Sequence, residues 1–296
     1  MLSPIICHLG PLQVRWYGVF AALAVLAGYF LAARRAPKFG LNRNDAADLL
    51  IVCVVVGIVG ARLEYVRRFW DLYFADDWLR IFRVWEGGLV FQGGFLLALP
   101  AFWLFCRIRH WRPGDVGDLM ALVVPVGHAI ARIGCLLNGC CFGRPWAGPL
   151  AITYPAVGNE VLFYQVEKGL VPPDAVAPLP VIPVQALEAF VCLAIGGFIW
   201  FLEKKQILRY QRFTLYMLLY AVGRFCIEFL RGDYPRGGGL TPAQMTCVAV
   251  VLPLTAAVIL WSVWRRRREA SSSQAAPAVP NANDTHERRR NKRKQH

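Results

Sequence analysis

Charge is scarce in this sequence. Asp, Glu, Lys and Arg make up 18% of its 296 residues against 56% hydrophobic ones, a balance that excludes an ordinary soluble domain of this size. Acidic residues are the scarcer sign, 19 against 33 basic ones. No internal repeat is visible, so a transporter built from duplicated halves gains no support. The first apolar run carries its charge cluster (Arg34, Arg35, Lys38) behind it, the reverse of a cleaved signal peptide. No histidine flanks Cys135, Cys140 and Cys141. Their C-x4-C-C spacing also lacks the paired elements of a zinc site, so no metal is expected.

What the chain has in quantity is apolar runs. Trp16–Ala33, Leu49–Val66, Leu89–Cys106, Asp118–Leu137, Val184–Leu202, Thr214–Leu230 and Met245–Trp264 each approach the ~20 residues that cross a bilayer. Backbone groups in lipid find partners only inside a helix or a closed barrel. The expectation is an all-α polytopic membrane protein with about seven transmembrane helices. Every second connection is basic: Arg34–Arg43, Arg107–Arg112, Lys204–Arg212 and Arg265–Arg268. Positive loops stay in the cytoplasm, which places the N-terminus outside and the C-terminus inside.

Three further pieces then fall on the outer face. Residues 67–88 form an arm with aromatics and mixed charge, and 139–183 form a small periplasmic head of short strands and turns, marked by Tyr154-Pro155 and Pro172-Pro173. The loop Arg231–Pro242 contains Gly237-Gly238-Gly239 and should be mobile. The membrane domain is expected over 1–266, followed by a disordered basic cytoplasmic tail over 267–296. Half of the net charge of +14 lies from Arg265 onward. Beside a membrane helix such a tail anchors topology and meets anionic lipid; nucleic acid is not the expected partner.

Arginine is costly within hydrocarbon unless paired or facing a polar cavity, yet Arg62, Arg132, Arg224 and Arg231 lie in or at the ends of runs. Tyr220, Arg224, Glu228 and Arg231 recur at helical spacing and share one face. That stripe is either a self-satisfied Arg224–Glu228 pair or an anion site, since guanidinium matches phosphate oxygens bidentately. His128 lies one turn before Arg132. Beside that charge it stays neutral, either packed or able to take a proton. The glycines of "FQGG" (Phe91–Gly94) fit close helix packing as readily as a ligand. The three clustered cysteines lie at the oxidising face, where a disulfide can persist, but adjacent-turn geometry opposes one. The leading reading is small residues packing a Gly-rich turn.

Taken in order, Trp16-Tyr17-Gly18, "RVWEGGLVFQGG", "ARIGCLLNGCCFGR", "PVQALEA" and "YAVGRFCIEFLR" resemble the bacterial prolipoprotein diacylglyceryl transferases, from about Trp16 to Trp264. The resemblance implies an inner-membrane enzyme that moves the diacylglyceryl group of phosphatidylglycerol to the lipobox cysteine of a prolipoprotein signal peptide, releasing glycerol phosphate. It implies no cofactor. By the same resemblance Arg132 is the signature arginine that holds the lipid head, and Asn138, Gly139, Gly143 and Arg144 complete that signature. Tyr17, Tyr220, Arg224, Glu228 and Arg231 match the polar lining of a central cavity, and Gln185 falls at the start of the fifth helix. Arg132, Arg224 and Tyr17 are the expected catalytic residues.

The chain departs from the family pattern at Cys135 (for Asn), Cys140 (for Glu) and Gln92 (for a histidine). Gln92 cannot take the thiol proton. The base is then His128, Tyr17 or a cysteine, or the substrate thiol ionises unaided. Two other classes stand beside the enzyme: a paralogue with another acceptor, and a non-catalytic anionic-lipid-binding protein. A channel or transporter would explain buried arginines but not the outer pieces.

Overall fold

A computed structural model describes residues 3–9, 12–84, 87–156, 160–233, 239–253, 255–260 and 263–264. The chain divides into two units, Met1–Thr255 and Ala256–His296. In the second, residues 256–260 are helical. The tail 267–296, the boundary at 266 and most of the glycine run at 237–239 lie outside the described residues.

The first unit starts with an antiparallel hairpin, β1 (Ile5–Leu9) and β2 (Leu12–Arg15), which runs directly into helix α1 (Trp16–Arg35). The sequence reading had no strands here, although Gly10-Pro11 between two apolar stretches is a turn signal. Helix α2 (Arg43–Arg68) is capped by Asn42, whose side chain accepts the Asn44 N–H at 2.9 Å. Helices α3 (Phe91–Ile108) and α4 (Pro113–Asn138) follow. Then come the short α5 (Val161–Glu167), α6 (Val184–Lys204), α7 (Arg212–Glu228) and α8 (Pro242–Thr246).

Four helices, α1, α2, α4 and α6, are long and apolar enough to cross a membrane by length and composition, and α3 is a shorter apolar helix. Helix α7 has 17 residues. The run Met245–Trp264, read as a seventh span, crosses the division between the units and undescribed residues. What is seen is therefore a mostly helical integral membrane protein.

Helix α4 is the centre of the first unit. Its apolar window is 50% buried inside the protein, against 11% for α1, and it packs on α1, α6 and α7. Pro113 begins it where an N–H has no helical partner. Gly139 ends it in the left-handed conformation (φ 72°), donating its N–H to the Cys135 carbonyl. Buried Ala32, Ala46, Leu49, Leu119 and Val123 join α1, α2 and α4. Small residues suit helices in lipid, where close van der Waals contact replaces water exclusion as the source of adhesion.

The same logic explains "FQGG". A Cβ on Gly60 of α2 would stand 2.5 Å from the Gly93 carbonyl oxygen of α3, and one on Gly94 2.7 Å from the Gly57 oxygen. Close helix packing accounts for both glycines.

The arm after α2 is held from below by an arginine. Buried Arg62 donates to the carbonyls of Arg80, Ile81, Gly87 and Gly88, which satisfies its charge within the protein. The arm is a π-helical turn (Trp70–Phe74) and a 3-10 turn (Trp78–Phe82). It leaves Leu72, Trp78 and Phe82 exposed.

Between α4 and α6, buried Phe142, Tyr154, Val161 and Val181 form a small apolar cluster. Short strands were expected. The described residues show three isolated pairings instead, Gly143–Arg231, Pro145–Val181 and Ile152–Val181. Proline supplies no ladder N–H, and this stretch is rich in it.

Candidate functional site

The turn between α6 and α7 sets the site. Asp118 of α4, almost fully buried, accepts the Tyr210 N–H at 2.7 Å, the Arg212 N–H at 2.9 Å and Arg212 Nη1 at 3.1 Å. The start of α7 is thereby tied to α4, and one face of α7 is turned toward α4 and α6.

On that face the three helices bring their polar residues together around one carboxylate, Glu188 of α6. Its Oε1 receives Arg132 Nη2 of α4 at 2.9 Å and the Tyr220 hydroxyl of α7 at 3.1 Å. His128 Nε2 stands 3.7 Å away and Arg224 Nε 3.9 Å. Glu188 is 1% exposed. Its charge is therefore satisfied by protein groups and not by water.

A second carboxylate extends the network along α7. Arg224 Nη1 pairs with Glu228 Oε2 at 2.7 Å, and the Thr241 hydroxyl donates to Glu228 Oε1 at 2.7 Å. Arg231 lies 3.8 Å from Glu228 and binds Asp233, with Nε at 2.8 Å from Oδ1. Three arginines thus meet Glu188, Glu228 and Asp233.

Arg132 spends its donors unevenly. Nη2 holds Glu188, Nε donates to His128 Nε2 at 3.2 Å, and Nη1 has the Cys135 sulfur at 3.9 Å. Among the described residues Nη1 is therefore the donor with only a weak sulfur acceptor. At the last turn of α4 the Asn138 Oδ1 atom is buried with no hydrogen-bond partner among the described residues. Such an acceptor is costly to bury and matches a hydroxyl donor on a ligand.

The glycines of the motif serve close backbone approach. Gly139 spends its N–H on the Cys135 carbonyl, and Gly143 spends its own on Ile182 O at 3.1 Å. A Cβ on Gly143 would meet that same oxygen at 2.5 Å. Neither offers a free N–H to an anion. The turn is held to α6 by Gln185, whose Nε2 donates to the Cys140 carbonyl at 2.7 Å and to the Tyr154 hydroxyl at 3.2 Å. Tyr154 in turn donates to the Leu136 carbonyl at 2.9 Å. Burial raises the Tyr154 phenol above its ordinary range.

Of the residues singled out from sequence, Arg132, Tyr220, Arg224, Glu228, Arg231 and His128 converge. Tyr17 and Arg144 stand beside the network. Tyr17 is 47% exposed and backs α1 onto Gly134 of α4, where a Cβ would stand 3.4 Å from the Tyr17 Cα. Arg144 is exposed, and its main chain pairs with Leu230 and Ile182. Sequence reasoning missed Glu188, the hub. The available signal was a carboxylate within the Val184–Leu202 run, as telling as an arginine there.

A family model described as prolipoprotein diacylglyceryl transferase matches residues 4–262. The phosphatidylglycerol–prolipoprotein diacylglyceryl transferase of Chromohalobacter salexigens is 30% identical over 279 residues, covering 94% of this chain and 98% of its own length. The protein of that name from Francisella tularensis subsp. novicida is 30% identical over 276 residues, 90% of this chain and 96% of its own.

Proposed function

Because the chain belongs to the prolipoprotein diacylglyceryl transferase family, we propose that it transfers the diacylglyceryl group of phosphatidylglycerol to the cysteine thiol of a prolipoprotein lipobox. The observation that carries this reading at the level of chemistry is the paired-arginine network. Arg132 and Arg224 approach one buried carboxylate from two helices, so both guanidinium groups are fixed before substrate arrives.

The transfer forms a C–S bond and breaks a C–O bond. The thiolate attacks the glycerol carbon that bears the phosphate ester, and glycerol phosphate leaves with one more negative charge. Fixed positive groups aimed at that charge lower the barrier, because they need no reorganisation as it develops. Arg132 meets the phosphate through Nη1, Arg224 supports it, and Asn138 Oδ1 accepts a hydroxyl of the glycerol head. Glu188 and Glu228 hold the two arginines in place, Tyr220 orients Glu188, and Arg231 closes the outer end. Tyr17 and exposed Arg144 belong to the approach of substrate.

His128 is a base for the thiol only when its Nε2 is free. While Arg132 donates to that nitrogen, His128 is a positioning residue. A lipobox thiol with a pKa near 8.5 already holds a few per cent of thiolate at neutral pH, and nearby arginines increase that fraction. The transfer itself calls for no cofactor.

In the bilayer the chain makes seven spans of the inner membrane, counting α3, α7 and the segment from Met245. The N-terminus is periplasmic and the C-terminus cytoplasmic, as the basic connections require. The arm and the head 139–183 lie on the periplasmic side, where lipoprotein precursors emerge. Exposed Leu72, Trp78 and Phe82 rest in the lipid interface, and the basic tail meets anionic lipid.

The test is direct. Purified protein, phosphatidylglycerol labelled in its head group and a lipobox peptide should give peptide-dependent release of glycerol phosphate. Lipid binding without release would favour a non-catalytic lipid-binding protein and overturn the assignment.

A further inference from the structure

The transfer makes no use of the three cysteines at the end of α4. Their sulfur atoms all lie within 4.8 Å of one another, and all three thiols are free. The convergence is built by the backbone. Cys135 occupies the last turn of α4, Gly139 reverses the chain, and Cys141 has a φ of 58°. That left-handed conformation is unfavourable for a residue with a Cβ and persists only when its surroundings enforce it. Here Gln185 grips the Cys140 carbonyl from α6 at 2.7 Å.

Positive charge stands beside the cluster. Arg132 Nη1 lies 3.9 Å from Cys135 Sγ. Arg231 stands near Cys141 as a second positive group. Cys140 and Cys141 are only partly buried, so a small ion can reach them.

We propose that Cys135, Cys140 and Cys141 form a three-thiolate site for a single soft, thiophilic divalent cation. Thiolates select such ions over hard ones. Sulfurs bound at ~2.3 Å around a tetrahedral ion stand roughly 3.8 Å apart, so the cluster contracts by about 1 Å at most. The fourth position is left to water. Binding expels the remaining thiol protons to solvent. Three thiolates and a divalent ion leave one negative charge, which Arg132 and Arg231 offset. Spacing alone pointed away from a metal because it registers neighbours in sequence, whereas these sulfurs meet through a left-handed turn.

The full-length protein, purified and reduced in detergent, is titrated with Cd2+ as the probe. One equivalent should bind with an ultraviolet sulfur-to-cadmium charge-transfer band and proton release, and should protect Cys140 and Cys141 from alkylation. Cys140→Ser or Cys141→Ser should weaken binding by more than about 100-fold, beyond the ~10–100-fold of an outer partner. Cys226→Ser, an exposed thiol on α7, should leave the titration unchanged. The alkylation readout uses the unaltered chain and stands even if a variant misfolds. A reduced protein whose Cys140 and Cys141 are alkylated equally fast with and without Cd2+ would overturn the proposal.

Discussion

Arg132 of α4 and Glu188 of α6 are joined at 2.9 Å, and nearly every other polar group of the site is placed by reference to that pair. Tyr220 donates to the same oxygen, and Arg224 reaches it from α7. A guanidinium and a carboxylate this deeply buried stabilise each other only while both are present, because either one alone is an unpaired charge in a poorly solvated place. The pair therefore fixes geometry at the risk of a large penalty if it is broken.

Glu188→Gln tests this. The amide keeps the size and one acceptor but removes the charge that Arg132 and Arg224 share. Stability should fall by about 3 kcal/mol, the scale for breaking a buried pair, read as a lower unfolding temperature in detergent. Transfer should fall by roughly 100-fold or more, as when one preorganised charge-stabilising donor is lost. A variant with normal rate and normal stability would remove Glu188 from the centre of the site.

Much of this arrangement was legible in sequence, and the missing parts have identifiable causes. Apolar runs placed α1, α2, α4 and α6 because membrane helices carry their signal in composition. The spacing of Tyr220, Arg224 and Glu228 gave one face of α7 directly. Glu188 was passed over because its partners come from α4 and α7, and helical spacing within one segment cannot show a contact between segments. Arg62 was singled out, but its acceptors were not legible: they are backbone carbonyls of the arm, which have no sequence signature.

Arg132→Lys keeps the positive charge but loses the planar fork. Arg132 uses three nitrogens in three directions, toward Glu188, His128 and Cys135. An ammonium at the end of a flexible stem cannot reproduce that set. The transfer rate should fall by at least about 100-fold, with lipid binding weakened as well. Near-normal transfer by this variant would show that charge alone suffices and that the phosphate is held elsewhere.

Membrane orientation yields an independent expectation. A reporter inserted after Asp174, in the turn beyond α5, should read as periplasmic, and one fused behind the C-terminus should read as cytoplasmic. Basic connections decide this, since translocating Lys and Arg is disfavoured. Two reporters on the same side would mean an even number of crossings between them and would reject the seven-span arrangement.

His128 separates positioning from proton transfer. Its Nε2 accepts the Arg132 Nε hydrogen at 3.2 Å, and its ring packs on Tyr220 with centroids 4.9 Å apart. The lone pair a base would use is thus engaged in holding Arg132. Loss of one such hydrogen bond is worth about 1 kcal/mol, so His128→Ala should slow transfer by roughly fivefold. The loss should be the same at all pH values, because Arg132 is misplaced whether or not the thiol is ionised. His128→Asn retains an acceptor and should recover part of the rate. A true general base behaves differently: its removal costs on the order of 10²–10⁴-fold, and part of the rate returns at high pH, where the substrate thiol ionises unaided. Rates of both variants across the pH range, with separate kcat and KM, distinguish the two. A large loss that recovers with pH would mean that Arg132 swings away on binding phosphate and frees Nε2 for the thiol proton.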